Sequence, residues 1–204
     1  AYCAAAGIAC HIALVETAPV GKLQQMLAYG ANIMRIQGFG LDIEATANVF
    51  DQLVEIADSP DASLQISAFR YSPVGMSGIR SVSFELNEQV NGPIDHVFCQ
   101  AGGGGLAIGT AEGFLQLEAE NQITRIPRVH VVQPSGNDTI ATPLRDGAPV
   151  GRDVNCTTKI SGLQVASVTD ADGAIAACRK SDGNGYLVED EHVWAIQQQL
   201  AREE

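Results

Sequence analysis

The segment His96-Val97-Phe98-Cys99-Gln100-Ala101-Gly102-Gly103-Gly104-Gly105-Leu106 joins an apolar strand to a helix that we predict over residues 107–119. Four consecutive residues without a Cβ atom let their backbone N–H groups turn toward one point, and the following helix adds the positive end of its dipole. The pattern therefore predicts that the four glycines form a cradle for an oxyanion or a phosphate. The alternative interpretation of these glycines is a flexible or tightly packed turn.

Two nucleotide-binding motifs can be compared with this glycine loop. Gly102-x-Gly104-x-x-Ala107 has the spacing of a dinucleotide fingerprint, but the next strand ends in Val132-Gln133 rather than in the acidic residue that binds a ribose. No Gly-Lys-Ser/Thr follows the glycines, as a P-loop for nucleoside triphosphates requires. The sequence thus disfavours NAD and excludes a P-loop.

Strands and helices alternate on both sides of the loop. We predict an apolar strand at 8–15 that is covered on both faces, and further strands at 33–36, 64–66, 96–100, 129–132 and 186–188. Helices are predicted at 1–6, 19–29, 79–90 and 107–119 and from residues 42 and 190 onward, while residues 134–185 give only short elements. Single helices between strands indicate an α/β fold, in which parallel sheets carry helices on both faces and bind ligands at the carboxyl ends of the strands.

The composition limits the partners of this chain. Its 204 residues include 24 acidic and 12 basic side chains, and the resulting formal net charge of -12 repels nucleic acid and anionic lipid. No apolar run approaches the roughly 18 residues that span a bilayer. The five cysteines lack the spacing of a zinc site or a disulfide framework, so we predict free, mostly buried thiols. We expect no nucleic-acid partner, no membrane partner, no metal and a cytoplasmic location.

Several segments resemble a known enzyme superfamily. Pro19-Val20-Gly21-Lys22-Leu23-Gln24-Gln25, followed by Tyr29-Gly30-Ala31, is similar to the P-x-x-K-x-x-Q-x-x-x-Y-G-A segment of fold-type II pyridoxal-phosphate enzymes, and the glycine loop resembles their phosphate-binding loop. Ser72-Pro73, Ser77-Gly78 and Arg80-Ser81 ahead of Phe84-Glu85 resemble the N-P-x-x-x-E-G-x-K-T pattern of threonine synthase. Similar segments follow at 157–164 and 186–191. The chain is therefore identified as a member of the tryptophan synthase beta-like superfamily, and within it most resembles threonine synthase.

This resemblance implies a two-domain, three-layer architecture of which the chain is an incomplete part, cut at both ends. Residues 1–78 would belong mostly to the small, substrate-side domain, and residues 79–204 to the large cofactor-binding domain. The implied cofactor is pyridoxal 5'-phosphate, whose phosphate would be bound by Gly102, Gly103, Gly104, Gly105 and the Leu106 amide. The lysine that bonds the cofactor would lie before the position matching Ala1, and the partner of the pyridine nitrogen beyond Glu204. No catalytic residue is therefore assigned within the chain.

The activity implied by the resemblance is that of an amino-acid lyase or synthase that eliminates or replaces a group at the β or γ carbon, in a homodimer. The alternatives are a relative of threonine dehydratase, cysteine synthase or cysteate synthase, or, from another class, a non-catalytic phosphate- or nucleotide-binding module. Ser72, Ser77, Arg80 and Gly75 stand where threonine synthases carry Asn, Glu, Lys and often a basic residue. These departures put phosphohomoserine in question as the substrate.

The cationic side chains have two possible roles. Arg70 and Arg80 either hold a substrate anion or form ion pairs. Lys22, Lys159 and Lys180 lie in polar surroundings, whereas a lysine that forms a Schiff base needs a desolvated amine with a lowered pKa. We therefore expect none of the three lysines to be catalytic.

The histidines are interpreted as structural. His11 and His130 lie within apolar strands, where we expect hydrogen-bonded core positions, and His96 and His192 are expected to face solvent. Asp170-x-Asp172-Gly173 is interpreted as a turn, because it lacks the further acidic ligands of a calcium loop.

Overall fold

The computed structural model describes residues 1–203, and its first part is built around two parallel strands. The elements in chain order are α1 (Tyr2–Ala6), β1 (His11–Val15), α2 (Val20–Ala28), β2 (Asn32–Ile36) and α3 (Ile43–Ala57). The register of β1 and β2 runs from His11 opposite Asn32 to Val15 opposite Ile36. Helix α3 begins after Asp42, because the carboxylate of Asp42 accepts a hydrogen bond of 2.7 Å from the Ala45 N–H.

A three-stranded parallel sheet in the order β3-β4-β5 forms the second part. Its strands are β3 (His96–Gln100), β4 (Arg128–Pro134) and β5 (Gly185–Val188), and its helices are α4 (Pro73–Ser77), α5 (Ser81–Gln89), α6 (Gly105–Ala119), α7 (Ala141–Arg145), α8 (Ala171–Lys180) and α9 (Asp190–Glu203). Single 3-10 turns occupy Gly78–Arg80, Ser135–Asn137 and Ser161–Leu163. The carboxyl ends of β3 and β4 lie side by side, since Gln100 is opposite Val132.

The main core lies between the three-stranded sheet and helices α6 and α8. Val129 and Val131 of β4 are fully buried together with Ala174 and Ile175 of α8, and Phe114 of α6 is buried as well. Burial of such side chains supplies most of the free energy that orders this part of the chain. The core therefore fixes the start of α6 against the end of β3, where the glycine loop lies.

The segments that follow β1 and β2 contact the segment between α7 and α8. The Cys156 N–H donates to the Leu41 carbonyl at 3.1 Å, and the Thr17 hydroxyl donates to the Gln164 side chain at 2.7 Å. Segments from both halves of the sequence thus approach each other, as a site between two domains requires. The proposed boundary at residue 78 stays a prediction.

The α/β class with parallel strands is confirmed, but some elements differ from the prediction. The strand expected at 64–66 is wrong, because the chain turns tightly where the Ala68 N–H donates to the Ile66 carbonyl at 2.7 Å. The first strand is not covered on both faces, since His11 is exposed and Ile8 lies outside β1. Among residues 1–203, every helix is too short or too polar to cross a membrane.

Helix α8 is the largest element that the sequence pattern missed. Asp172 and Gly173, interpreted as part of a turn, lie in its first turn after Asp170. The helix is rich in alanine, and its buried face consists of Ala171, Ala174, Ile175 and Cys178. Such small side chains give only a weak hydrophobic periodicity, although the Asp residue before the helix was a usable start signal.

His130 is a buried histidine on β4, and its ring is held by two neighbours. Its Nδ1 accepts from the Asn184 N–H at 2.9 Å, so its Nε2 carries the proton and donates to His96 Nδ1 at 2.9 Å. Burial, together with the nearby His96 and Arg128, lowers the pKa of His130 below 6.5. The core position is confirmed for His130 but is wrong for His11, whereas His96 and His192 are exposed as expected.

Stability should fall in mild acid because of His130. The unfolded chain binds a proton at this histidine near pH 6.5, whereas the folded chain does so only at lower pH, so unfolding takes up a proton as the pH falls. We expect a His130→Gln variant to lose less unfolding free energy between about pH 7.5 and about pH 5.5 than the wild type does, measured by urea denaturation. His192→Gln is the control and should behave like the wild type. Equal losses in His130→Gln and in the wild type would contradict the assignment.

Helices α5 and α6 approach each other closely at Gly113. A Cβ atom on Gly113 would lie 2.7 Å from the Arg80 carbonyl oxygen and 2.7 Å from Ser83 Cβ. The Ser83 hydroxyl donates to the Thr110 carbonyl at 2.7 Å across the same interface. The Arg80 carbonyl, one residue before α5, and the Ser83 side chain thus occupy the space that a side chain at position 113 would need.

Replacing Gly113 with alanine should destabilise the protein, although alanine in a helix is usually more stable than glycine. Overpacking against a backbone costs about 1–3 kcal/mol, which outweighs the gain of up to about 1 kcal/mol that alanine brings to a helix. Gly21→Ala in α2 is the matched control, because no atom lies within 4 Å of its added Cβ, and it should be neutral or stabilising. Thermal unfolding of both variants checks the difference, and a stable Gly113→Ala would show that α5 can move away.

Candidate functional site

The glycine loop lies at the carboxyl end of β3. The Ala101 N–H still donates to the Val132 carbonyl at 2.9 Å, which continues the pairing of β3 with β4 by one residue. The chain then leaves the sheet through Gly102, Gly103 and Gly104 and enters α6 at Gly105, two residues earlier than predicted. The loop is therefore placed at the sheet edge where α/β folds bind ligands.

The backbone N–H groups from Gly102 to Leu106 are left unpaired by the part of the chain that the structure describes. Within residues 1–203, none of these five groups donates to a backbone or side-chain oxygen, and no side chain caps the helix. Gly102, Gly103, Gly105 and Leu106 are only half-buried, so an outside acceptor can reach them. We call these five N–H groups the amide cradle. Together with the positive end of the 15-residue helix α6, they suit an anion that carries several oxygen atoms.

The other side of the loop is closely packed, and this packing explains the glycines. A Cβ atom on Gly102 would lie 2.9 Å from Val165 Cγ2, and one on Gly105 would lie 2.5 Å from Met76 Cε. Gly104 has a φ of 104° and would place a Cβ 2.7 Å from that of Ala174. The tightly packed turn and the amide cradle are thus two sides of the same loop.

Asp170 places a second segment beside the cradle. Its buried carboxylate accepts from the Phe69 N–H at 2.8 Å and from the Arg70 N–H at 3.1 Å. These bonds hold the start of the segment that leads to Met76, whose methyl group covers Gly105. The sequence pattern predicts a turn at Asp170 and does not predict these hydrogen bonds.

The two candidate arginines make different contacts. Arg80 donates to a Glu112 carboxylate oxygen through Nη2 at 2.7 Å and through Nε at 2.9 Å. Of the two possible roles, binding a substrate anion or forming an ion pair, Arg80 therefore has the second. Arg70 is exposed and lies over the Tyr71 ring, 5.6 Å from its centroid.

None of the lysines has the surroundings of a catalytic amine. Lys22, Lys159 and Lys180 are all exposed, whereas a lowered amine pKa requires burial or a neighbouring positive charge. Within residues 1–203 there is also no group of three or more His, Cys, Asp or Glu side chains that could hold a metal ion.

The cysteines are free thiols, and burial makes those in the core unreactive. Cys99, Cys156 and Cys178 are buried, while Cys3 and Cys10 are half-buried. Burial raises the pKa of Cys99, and burial with the nearby Cys99 raises the pKa of Cys178 to about 12. Although Cys99 lies just before the glycine loop, its thiol stays protonated and is a poor nucleophile.

Several known proteins are similar to this chain. The threonine synthase of Methanosarcina acetivorans is 26% identical over 98% of this chain and 48% of its own length. The threonine synthase of Mycobacterium leprae is 29% identical over 100% of this chain and 53% of its own length. The chain thus spans about half the length of the curated relatives it matches.

Solved structures share the fold. Maize serine racemase has a TM-score of 0.67 at 25% identity, with 96% of this chain and 54% of the racemase covered. The L-serine ammonia-lyase of the fungus Rhizomucor miehei has a TM-score of 0.69 at 18% identity, over 93% of this chain and 55% of the lyase.

The family comparison covers the whole sequence. The model of the family described as "Pyridoxal-phosphate dependent enzyme" matches residues 1–204, which include both sheets and the amide cradle. This chain belongs to the family of pyridoxal-phosphate dependent enzymes.

Proposed function

We propose that this chain is part of an amino-acid lyase or synthase that resembles threonine synthase and eliminates or replaces a group at the β or γ carbon. In this proposal Gly102, Gly103, Gly104, Gly105 and the Leu106 N–H bind the phosphate of pyridoxal 5'-phosphate. The observation that carries it is the amide cradle, in which five consecutive N–H groups lack an acceptor among the described residues. Such groups are costly to leave unpaired unless a ligand or solvent accepts from them.

The residues present fit a phosphate group. The cradle offers donors without any side chain between them, since added Cβ atoms would point into the packed side of the loop at Gly102 and Gly105. The start of α6 contributes a partial positive charge, so a dianion is bound without a lysine or arginine. When bound, the cofactor supplies the electron sink for the reaction, and the part of the protein described here holds and orients it.

The catalytic lysine is proposed to lie outside this chain, since all three lysines present are exposed. The partner of the pyridine nitrogen is likewise proposed to lie outside it. Residues 1–78 would contribute mainly the substrate side and residues 79–204 the cofactor side of one cleft. We further propose an amino-acid substrate, a homodimer, a cytoplasmic location and a role in amino-acid metabolism, with no nucleic-acid or membrane partner.

A second candidate activity is a dehydratase or synthase that acts on an amino acid without a phosphate. Arg80 stands where threonine synthases carry a lysine, and its guanidinium is engaged by Glu112. Arg70 is exposed and forms no ion pair within residues 1–203, so its guanidinium is available for the carboxylate of a substrate. Because the ion pair with Glu112 occupies the Arg80 guanidinium, it favours a substrate whose only anionic group is its carboxylate.

A carboxylate placed in the cradle should repel the cofactor. Gly103 is the suitable position, because a Cβ there makes only ordinary contacts, 3.8 Å from Val165 Cγ1 and 3.9 Å from Thr169 Cβ. We expect Gly103→Asp in the full-length protein to weaken pyridoxal 5'-phosphate binding by at least about tenfold relative to Gly103→Asn, which has the same shape without the charge. Titration of the cofactor into the apo-protein, followed by its visible absorbance, measures the two affinities. Similar affinities would place the phosphate elsewhere.

The products formed by the full-length holoenzyme separate the candidate activities. Phosphate release from phosphohomoserine would support the first candidate, which resembles threonine synthase. Ammonia release from serine or threonine without activity on phosphohomoserine would instead support the second candidate. A protein that takes up no pyridoxal 5'-phosphate and converts none of these amino acids would contradict both and support a phosphate- or nucleotide-binding module.

A further inference from the structure

Gln133 is a fully buried polar residue at the carboxyl end of β4, next to the glycine loop. Its Oε1 accepts from the Ile140 N–H at 2.7 Å and from the Ala141 N–H at 2.9 Å. Its Nε2 lies 3.0 Å from the Thr139 hydroxyl oxygen and 3.3 Å from the carbonyl oxygens of both Ala101 and Gly102. Both ends of the side-chain amide are therefore in use.

This hydrogen-bonding pattern fixes which way the amide faces. Rotating it by 180° would bring Oε1 against the two loop carbonyls and Nε2 against the N–H groups of Ile140 and Ala141, so four favourable contacts would become repulsive. The two N–H bonds of Nε2 serve three acceptors, so one of them is shared between neighbouring loop carbonyls. Gln133 is thus a rigid donor that faces the first two peptide groups of the loop.

The loop carbonyls determine where the cradle N–H groups point. Each peptide group is planar and trans, so its C=O and its N–H point in opposite directions. The Ala101 carbonyl shares a peptide group with the Gly102 N–H, and the Gly102 carbonyl shares one with the Gly103 N–H. Because Gln133 holds both carbonyls, it turns these two N–H groups away from the sheet core and toward the open side.

Glycine makes such a restraint necessary. Peptide groups between glycines can rotate at little steric cost, because no Cβ opposes the change in φ and ψ. A run of four glycines would therefore let the cradle N–H groups point in many directions. The packing that closes one side of the loop restricts its path, and the donor of Gln133 restricts the orientation of its first two peptide groups.

We propose that Gln133 is a positioning residue that orients the Gly102 and Gly103 N–H groups toward the phosphate of the bound cofactor. This inference rests on the proposed function, because it assumes that the cradle binds a phosphate. Gln133 touches neither the cofactor nor the substrate in this role. It acts through the backbone, so its loss should affect ligands that carry a phosphate more than ligands that lack one.

The test compares two cofactor forms in the full-length apo-protein. The dissociation constants of pyridoxal 5'-phosphate and of pyridoxal, which lacks the phosphate, are measured for the wild type, Gln133→Met and Gln133→Glu. Methionine keeps the length of the side chain without a donor, and glutamate keeps the acceptor for Ile140 and Ala141 while removing the amide donor. The two variants disturb the fold differently, so either one that folds carries the test.

We expect the preference for the phosphorylated form to fall by roughly tenfold in both variants, the change typical when a partner that orients a ligand-binding group is lost. The affinity for pyridoxal should change little. The phosphorus NMR resonance of bound pyridoxal 5'-phosphate should also move, because it reports on the donors around the phosphate.

Ser181→Ala is the matched control for a general loss of stability. Ser181 is also buried and bonds to β4, but at its amino end, where its hydroxyl accepts from the Val129 N–H at 3.0 Å. This variant should lower the melting temperature and leave the preference unchanged. The positioning role would be overturned if the Gln133 variants kept the wild-type preference for pyridoxal 5'-phosphate over pyridoxal. It would also be overturned if this preference fell equally in Ser181→Ala. A wild type that does not prefer the phosphorylated form would instead overturn the proposed function itself.

Discussion

The backbone between β3 and α6 has to meet two demands that an ordinary loop does not face together. On one side it packs against Val165, Ala174 and Met76 so closely that side chains are excluded at three of its positions. On the other side it leaves five successive N–H groups without an internal partner. A chain of L-residues with side chains would satisfy one demand at the expense of the other. Glycine meets both, and the rest of the second sheet serves to hold this loop in place.

The layers around the loop explain how it is held. Helix α8 packs on the sheet beside α6 through small residues, and Asp170 at its start binds the backbone of the segment at 69–70. Gln133 at the end of β4 binds the loop from within the sheet. Three segments that are far apart in sequence thus meet at one sheet edge. This arrangement connects the hydrophobic core directly to the geometry of the cradle.

The sequence predicted the parts of this arrangement that depend on local patterns. The strand at 96–100 and the helix after the glycines follow from apolar runs and from the glycines that precede the helix, while the anion site at this loop stays a prediction. Gln133, Asp170 and α8 were not recognised as parts of the site, because their roles depend on contacts over 30 to 100 residues of sequence. In the sequence, Gln133 serves only to disfavour NAD, because it stands where a dinucleotide-binding strand would end in an acidic residue. Its burial and its bonds to Ala101 and Gly102 come from the tertiary fold, which the local sequence does not encode.

The charge of the chain agrees with an anion site that is built from backbone groups. With a formal net charge of -12, the long-range field opposes the approach of a phosphate dianion. A cluster of lysines or arginines would offset this field, but Arg80 is paired with Glu112 and the three lysines are exposed to solvent. N–H dipoles act only at short range, so they stabilise an anion that is already in contact with them and do little to attract one from solution. The cradle is therefore suited to holding a resident cofactor rather than to capturing free phosphate from solution. Because donors of this kind lose their effect when they are misaligned by a few tenths of an ångström, the residues that orient the backbone matter as much as the glycines themselves.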